Sequence, residues 1–231
     1  LTYYSNPVPG DIYSGNINTE EGIGYPQNYY AWQWGDALFI VLDPFRYSKG
    51  NKTPWQRTLG QQQYDWLKKT LSESKAAFKF VFIHNLVGGV DKKGKGRGGA
   101  EAAKFFEWGG YDTSGINQFA ANRPGWDQPI HDLLAANGVN IVFHGHDHFF
   151  ARQEKDGIIY QLVPQPGGLH YGNSNVAADY GYTEGNILNM PGYLRINING
   201  ATARVEYVQT STDTRHRNGE VLYTYTINSK H

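Results

Sequence analysis

The sequence predicts an α/β fold. Short apolar runs read as buried strands, two helical patterns lie between them, and the last third changes to strands and turns. Residues 29–34 alternate and are aromatic-rich, Gly35-Asp36 breaks the pattern, and 37–42 (Ala-Leu-Phe-Ile-Val-Leu) is continuously apolar, so the pair reads as a hairpin with a buried second strand. A helix is predicted over 63–74, where Tyr64, Leu67 and Leu71 share one face. Residues 78–83 form a short apolar run suited to a strand covered on both sides, and it ends on His84.

The stretch 85–123 reads as a long excursion. It contains nine glycines, among them Gly94, Gly96, Gly98 and Gly99, interleaved with Lys92, Lys93, Lys95 and Arg97, and loops of that length are functional or mobile. A second helix is predicted over 129–137, with Ile130, Leu133 and Leu134 inward and Gly138 as its stop, followed at once by a strand over 140–143. The order strand, helix, strand, excursion, helix, strand implies parallel crossovers. Later strands are expected at 158–163, 193–198, 203–209 and 221–227 with antiparallel pairing, and Asn199-Gly200 is a hairpin signal. No internal repeat or composition break divides the chain, so residues 1–231 are read as one domain.

Composition narrows the function classes. Hydrophobic residues are 39% and aromatic residues 15% of the chain, which supports a packed core. Equal counts of 21 basic and 21 acidic residues remove the electrostatic basis for generic nucleic-acid binding, so any anion must be held locally. With no cysteine there is no disulfide scaffold, thiolate metal site or cysteine nucleophile. No apolar run reaches the roughly 20 residues of a membrane-spanning helix. The chain opens on Leu1 rather than Met, which is expected of a processed product or a fragment.

Chemistry concentrates in Val142-Phe143-His144-Gly145-His146-Asp147-His148-Phe149, where a buried strand runs into a glycine turn crowded with histidine. Neutral imidazoles suit a metal site, and His146 and His148, two residues apart, can face one side. One such histidine is ordinarily a hydrogen-bonded surface residue, but three within five positions at a strand end favour ligation. His84 repeats the arrangement, and strand ends are where open α/β sheets bind ligands. His131 on the second helix reads as a packing or surface residue, His170 in a glycine-rich loop stays unassigned, and His216 and His231 have no partner in sequence. The basic excursion reads as solvated rather than as a phosphate site, and Gly94 to Gly99 lacks Walker spacing.

A strand-terminal histidine, then a helix and strand, then Gly145-His146-Asp147-His148 resembles the second half of the calcineurin-like metallophosphoesterases, over residues 29–163. The branch resembled includes the purple-acid-phosphatase-like enzymes. The resemblance implies a calcineurin-like β-sandwich flanked by helices, of which this chain is the C-terminal portion. It also implies metal-dependent hydrolysis of phosphate esters by a binuclear centre, with His84 and His146 on one ion and His148 on the other. The expected cofactors are two divalent or trivalent ions (zinc, iron or manganese), incompletely bound by this chain alone. Two cations about 3.5–4 Å apart neutralise phosphate oxygens and lower the pKa of bound water.

Of the N-terminal elements of that family, Asp-Xaa-His and Gly-Asn-His do not occur here. Gly10-Asp11 and Gly35-Asp36 do occur, but neither follows an Asp-Xaa-His as the bridging-aspartate element requires, and Asp36 is better explained by the hairpin turn. The expected partners are therefore a phosphate-ester substrate and the missing N-terminal segment of the same protein, in an extracellular or periplasmic setting. The alternative is a non-catalytic fragment or degenerate homologue that binds a ligand or partner. A glycan-binding β-rich domain, resting only on exposed aromatics, ranks last.

Overall fold

The computed structural model describes residues 5–50, 52–89, 96–167, 174–211 and 217–230. In chain order its elements are β1 (Ser14–Gly15), β2 (Tyr30–Trp34), β3 (Ala37–Leu42), α1 (Gln61–Glu73), β4 (Phe78–Ile83), α2 (Phe106–Gly109), α3 (Phe119–Asn122), α4 (Ile130–Ala136), β5 (Ile141–His144), β6 (Phe150–Lys155), β7 (Ile158–Leu162), β8 (Asn186–Leu188), β9 (Gly192–Asn199), β10 (Thr202–Gln209) and β11 (Val221–Asn228). Short 3-10 turns punctuate them.

Eight strands form one mixed sheet in the order β1-β2-β3-β4-β5-β7-β6-β8, and a three-stranded sheet runs β11-β10-β9. The crossovers β3 to β4 and β4 to β5 are parallel, as the strand–helix–strand order requires. β7 adds to β5 in parallel and to β6 antiparallel, so the antiparallel expectation holds for one of its two neighbours.

Strand alternation separates two cores. Leu38, Ile40, Val81, Ile83 and Val142 point to the helical side, where α1 brings Tyr64, Leu67 and Leu71 and α4 brings Ile130, Leu133 and Leu134. Each such aliphatic contributes about 1.5–3 kcal/mol of transfer free energy. Phe78, Phe80, Ile141 and Phe143 point the other way, beneath Ala203 and Val205 of the small sheet. Tyr207 stacks on Phe150 with centroids 4.5 Å apart, and the Tyr225 hydroxyl donates to Gln161 at 3.0 Å. The small sheet thereby covers the β5, β7 and β6 side. Toward β1 and β2 the same face carries half-buried rings, with Tyr13 6.0 Å from Trp32 and Trp32 stacked on Phe39 at 4.9 Å, and an exposed one, Trp34, at 80%.

Two elements depart from the sequence reading. Much of 96–123 packs as a layer rather than a loose excursion, with Ala103 and Trp108 fully buried, while 113–117 stay exposed. Trp108 Nε1 donates to the Tyr160 hydroxyl at 2.9 Å, which no periodicity announces. Val90 to Lys95, including the basic Lys92, Lys93 and Lys95, lie outside the described residues, as do His170, His216 and His231. The β9–β10 turn is also shifted by one: Asn199 pairs with Thr202, so Gly200 (φ 56°) and Ala201 form the two-residue loop.

Candidate metal centre

β3, β4, β5 and β7 end at one edge, around an open cleft of about 450 Å³ whose lining includes Asp43, Phe45, His84 and Gly145. β4 pairs with β5 so that Ile83 lies opposite His144. The Gly145 amide donates to the His84 carbonyl at 2.8 Å, which carries this pairing one step past the strand ends. That register brings His84 Nε2 to 3.2 Å from His146 Nδ1, with ring centroids 5.2 Å apart and planes at 84°. At this separation one nitrogen carries the shared proton and the other supplies the lone pair. His84 is exposed, with Phe45 at 5.6 Å as its other ring neighbour.

The remaining histidines have separate places. His148 is exposed on the same turn and makes no hydrogen bond or ring contact among the described residues. His144 is 2% exposed, and burial pushes its pKa down to about 3, so it stays neutral and packs parallel to Tyr182. His131 is a buried structural residue: Tyr160 donates to its Nδ1 at 2.7 Å and its Nε2 donates to Asp156 at 2.8 Å, tying α4 to the β6–β7 turn.

Two ions need more donors than this edge supplies. Among the described residues, no three His, Asp or Glu side chains are placed to hold a metal ion together. The carboxylate at the cleft, Asp43, is already engaged: Oδ1 accepts the Phe45 amide at 2.8 Å and Oδ2 accepts from Asn28 at 2.9 Å. The residues present therefore do not fit a complete binuclear centre. They offer one converging pair of imidazoles.

Sequence reasoning missed the support beneath this pair. Asp147 turns inward, its side chain 1% exposed, and accepts from Arg97 at 2.5 Å and from the Tyr182 hydroxyl at 2.8 Å. An acid between two histidines gives no sign of this in a single sequence.

Comparison with solved structures places the architecture. One, described as the structure of PhoD, aligns over 87% of this chain and 42% of its own at TM-score 0.55 and 14% identity. The fold is phosphoesterase-like. A purple acid phosphatase from yellow lupin seeds aligns over 87% of this chain and 32% of its own (TM-score 0.48, 16% identity). GAP50, the anchor in the inner membrane complex of Plasmodium, aligns over 94% and 61% (TM-score 0.49, 16% identity). The chain thus spans less than half of the first two structures. No protein-family model matches the sequence, and no curated protein does.

Proposed function

We propose that this chain is the C-terminal part of a metal-dependent phosphoesterase. In this reading it contributes His84, His146 and His148 to a binuclear centre whose other donors lie on preceding polypeptide, and the substrate is a phosphate ester. The observation that carries the reading is the His84–His146 pair, held 3.2 Å apart at the carboxyl ends of adjacent parallel strands.

The open aromatic face supports it. Trp32, Phe39 and Phe82 are only partly buried, Val41 and Phe82 also line the histidine cleft, and β9 ends the small sheet with one edge unpaired among the described residues. An exposed apolar sheet face beside an open strand edge asks for cover. Tyr13, near the start of the described residues, already packs on Trp32. We assign the proposed preceding segment as the occupant of the rest of this face, reaching the histidines from the same side. An extracellular or periplasmic location is part of the same proposal and rests on the resemblance to purple-acid-phosphatase-like enzymes.

For the isolated chain, the absence of a three-donor group among the described residues favours a second reading, a binding module without turnover. Zinc titration of the chain by calorimetry tests the proposal: a single weak site that disappears in His84→Ala and in His146→Ala is expected. Binding of undiminished strength in both variants would remove its basis.

A further inference from the structure

Asp147 separates half-buried His146 from exposed His148, and its own side chain is buried between Arg97 and Tyr182. Both neighbours have left-handed backbones, with φ of 82° at His146 and 62° at His148. Side-chain-bearing residues persist there only where their surroundings over-determine them. The packing around the turn is of that kind: Tyr182 stacks parallel to His144 and meets Phe149 edge-on at 5.1 Å, so it touches the chain on both sides of Asp147.

Arg97 reaches Asp147 from the end of the glycine-rich stretch, its guanidinium 3.9 Å over the Tyr180 ring. Its neighbours lie close against the fold. A Cβ at Gly96 would collide with the Asn85 amide, and one at Gly99 with the Gln153 side chain. These glycines permit the close approach that brings Arg97 up to Asp147.

We propose that the Arg97–Asp147 ion pair is a latch that fastens the end of the glycine-rich stretch to the histidine turn and holds His146 and His148 in their left-handed conformations. Asp147 is then a positioning residue, and the inference goes beyond the phosphoesterase reading because it does not depend on what the histidines bind.

Amide hydrogen exchange on the metal-free chain tests it, with β4 as the reference for global folding. Arg97→Ala is expected to speed exchange both in 96–99 and in 145–149, including the Gly145 amide bonded to His84, while β4 stays protected. Asp147→Ala should do the same, the double variant should be no faster than either single one, and Arg97→Lys should restore part of the protection. In a parallel zinc titration, Arg97→Ala should weaken binding about 10–100-fold. Faster exchange confined to 96–99, with 145–149 unchanged, would overturn the latch, as would additive effects in the double variant. Should Asp147→Ala lose β4 protection, Arg97→Ala and Arg97→Lys decide the matter alone.

Discussion

Replacing Arg123 with alanine strips a buried carboxylate of its counter-charge. Glu107 has a side chain with no solvent exposure, pairs with Arg123, and accepts the Leu59 amide at 2.7 Å. Arg123 also donates to the carbonyls of Trp55 at 2.8 Å and Arg57 at 3.0 Å, so it pins the layer around α2 and α3 to the segment before α1. Breaking a buried pair from one side costs about 3–5 kcal/mol. For a chain of this size that is a fall in Tm of about 6–20 °C, at about 2–4 °C per kcal/mol.

The loss depends on pH. Burial raises the Glu107 pKa above its ordinary 4.5 and Arg123 opposes this, so without Arg123 the folded-state value rises further. The folded state then holds a proton that the unfolded state releases above pH 4.5, and stability falls as pH rises through the elevated folded value. Urea denaturation from pH 5 to 8 should show the Arg123→Ala penalty smallest at pH 5, and adding Glu107→Gln should flatten the profile. A penalty under about 1 kcal/mol, or one independent of pH, would refute this account of the buried pair.

Other variants probe the frame of the site. Lys79 donates to the Asn137 carbonyl at 2.9 Å and the Leu71 carbonyl at 3.4 Å, so it serves the ends of α4 and α1. Lys79→Met should cost about 1–3 kcal/mol by chemical denaturation. Tyr160→Phe removes the hydroxyl shared by Trp108 and His131 and should cost a similar amount, with the indole N–H resonance shifted in NMR. On the open face, Trp34→Ser should reduce binding of a hydrophobic dye by the 231-residue chain without lowering its Tm, since the ring is 80% exposed.

The sheet and its two long helices were legible because each rests on a local period. Residues 37–42 are apolar throughout and 78–83 are apolar but for Lys79, since helices cover one side and the small sheet the other, and Tyr64, Leu67 and Leu71 mark the buried stripe of α1. The layer at 96–123 was obscured because its burial comes from isolated side chains: Trp108 and Phe119 sit in helices of four residues, too short to show a repeat. Glycines at 96 and 99 read as freedom and are close approaches instead. The strand β6 carries Arg152 and Glu154 on one side and Gln153 and Lys155 on the other, so no apolar alternation marked it as a strand in the sequence. At the site, the proximity of His84 and His146 was readable from their shared position at strand ends. The inward turn of Asp147 depends on Arg97 and Tyr182, 50 and 35 residues away in sequence, and had no local signal.

The most direct measurement of the central claim is turnover of aryl phosphomonoesters and phosphodiesters. The isolated chain, reconstituted with zinc, manganese or iron, should be compared with the longer parent polypeptide proposed above, each beside its His84→Ala/His146→Ala/His148→Ala form. The expected result is little or no hydrolysis by the isolated chain and activity in the parent that the triple substitution abolishes. Loss of even one electrostatic contact costs about 10²–10³ in rate, and among the described residues no three metal donors converge. Robust turnover by the isolated chain that vanishes in its triple variant would show that it completes its own centre. Activity of the parent that survives the triple substitution would contradict the assignment of these histidines.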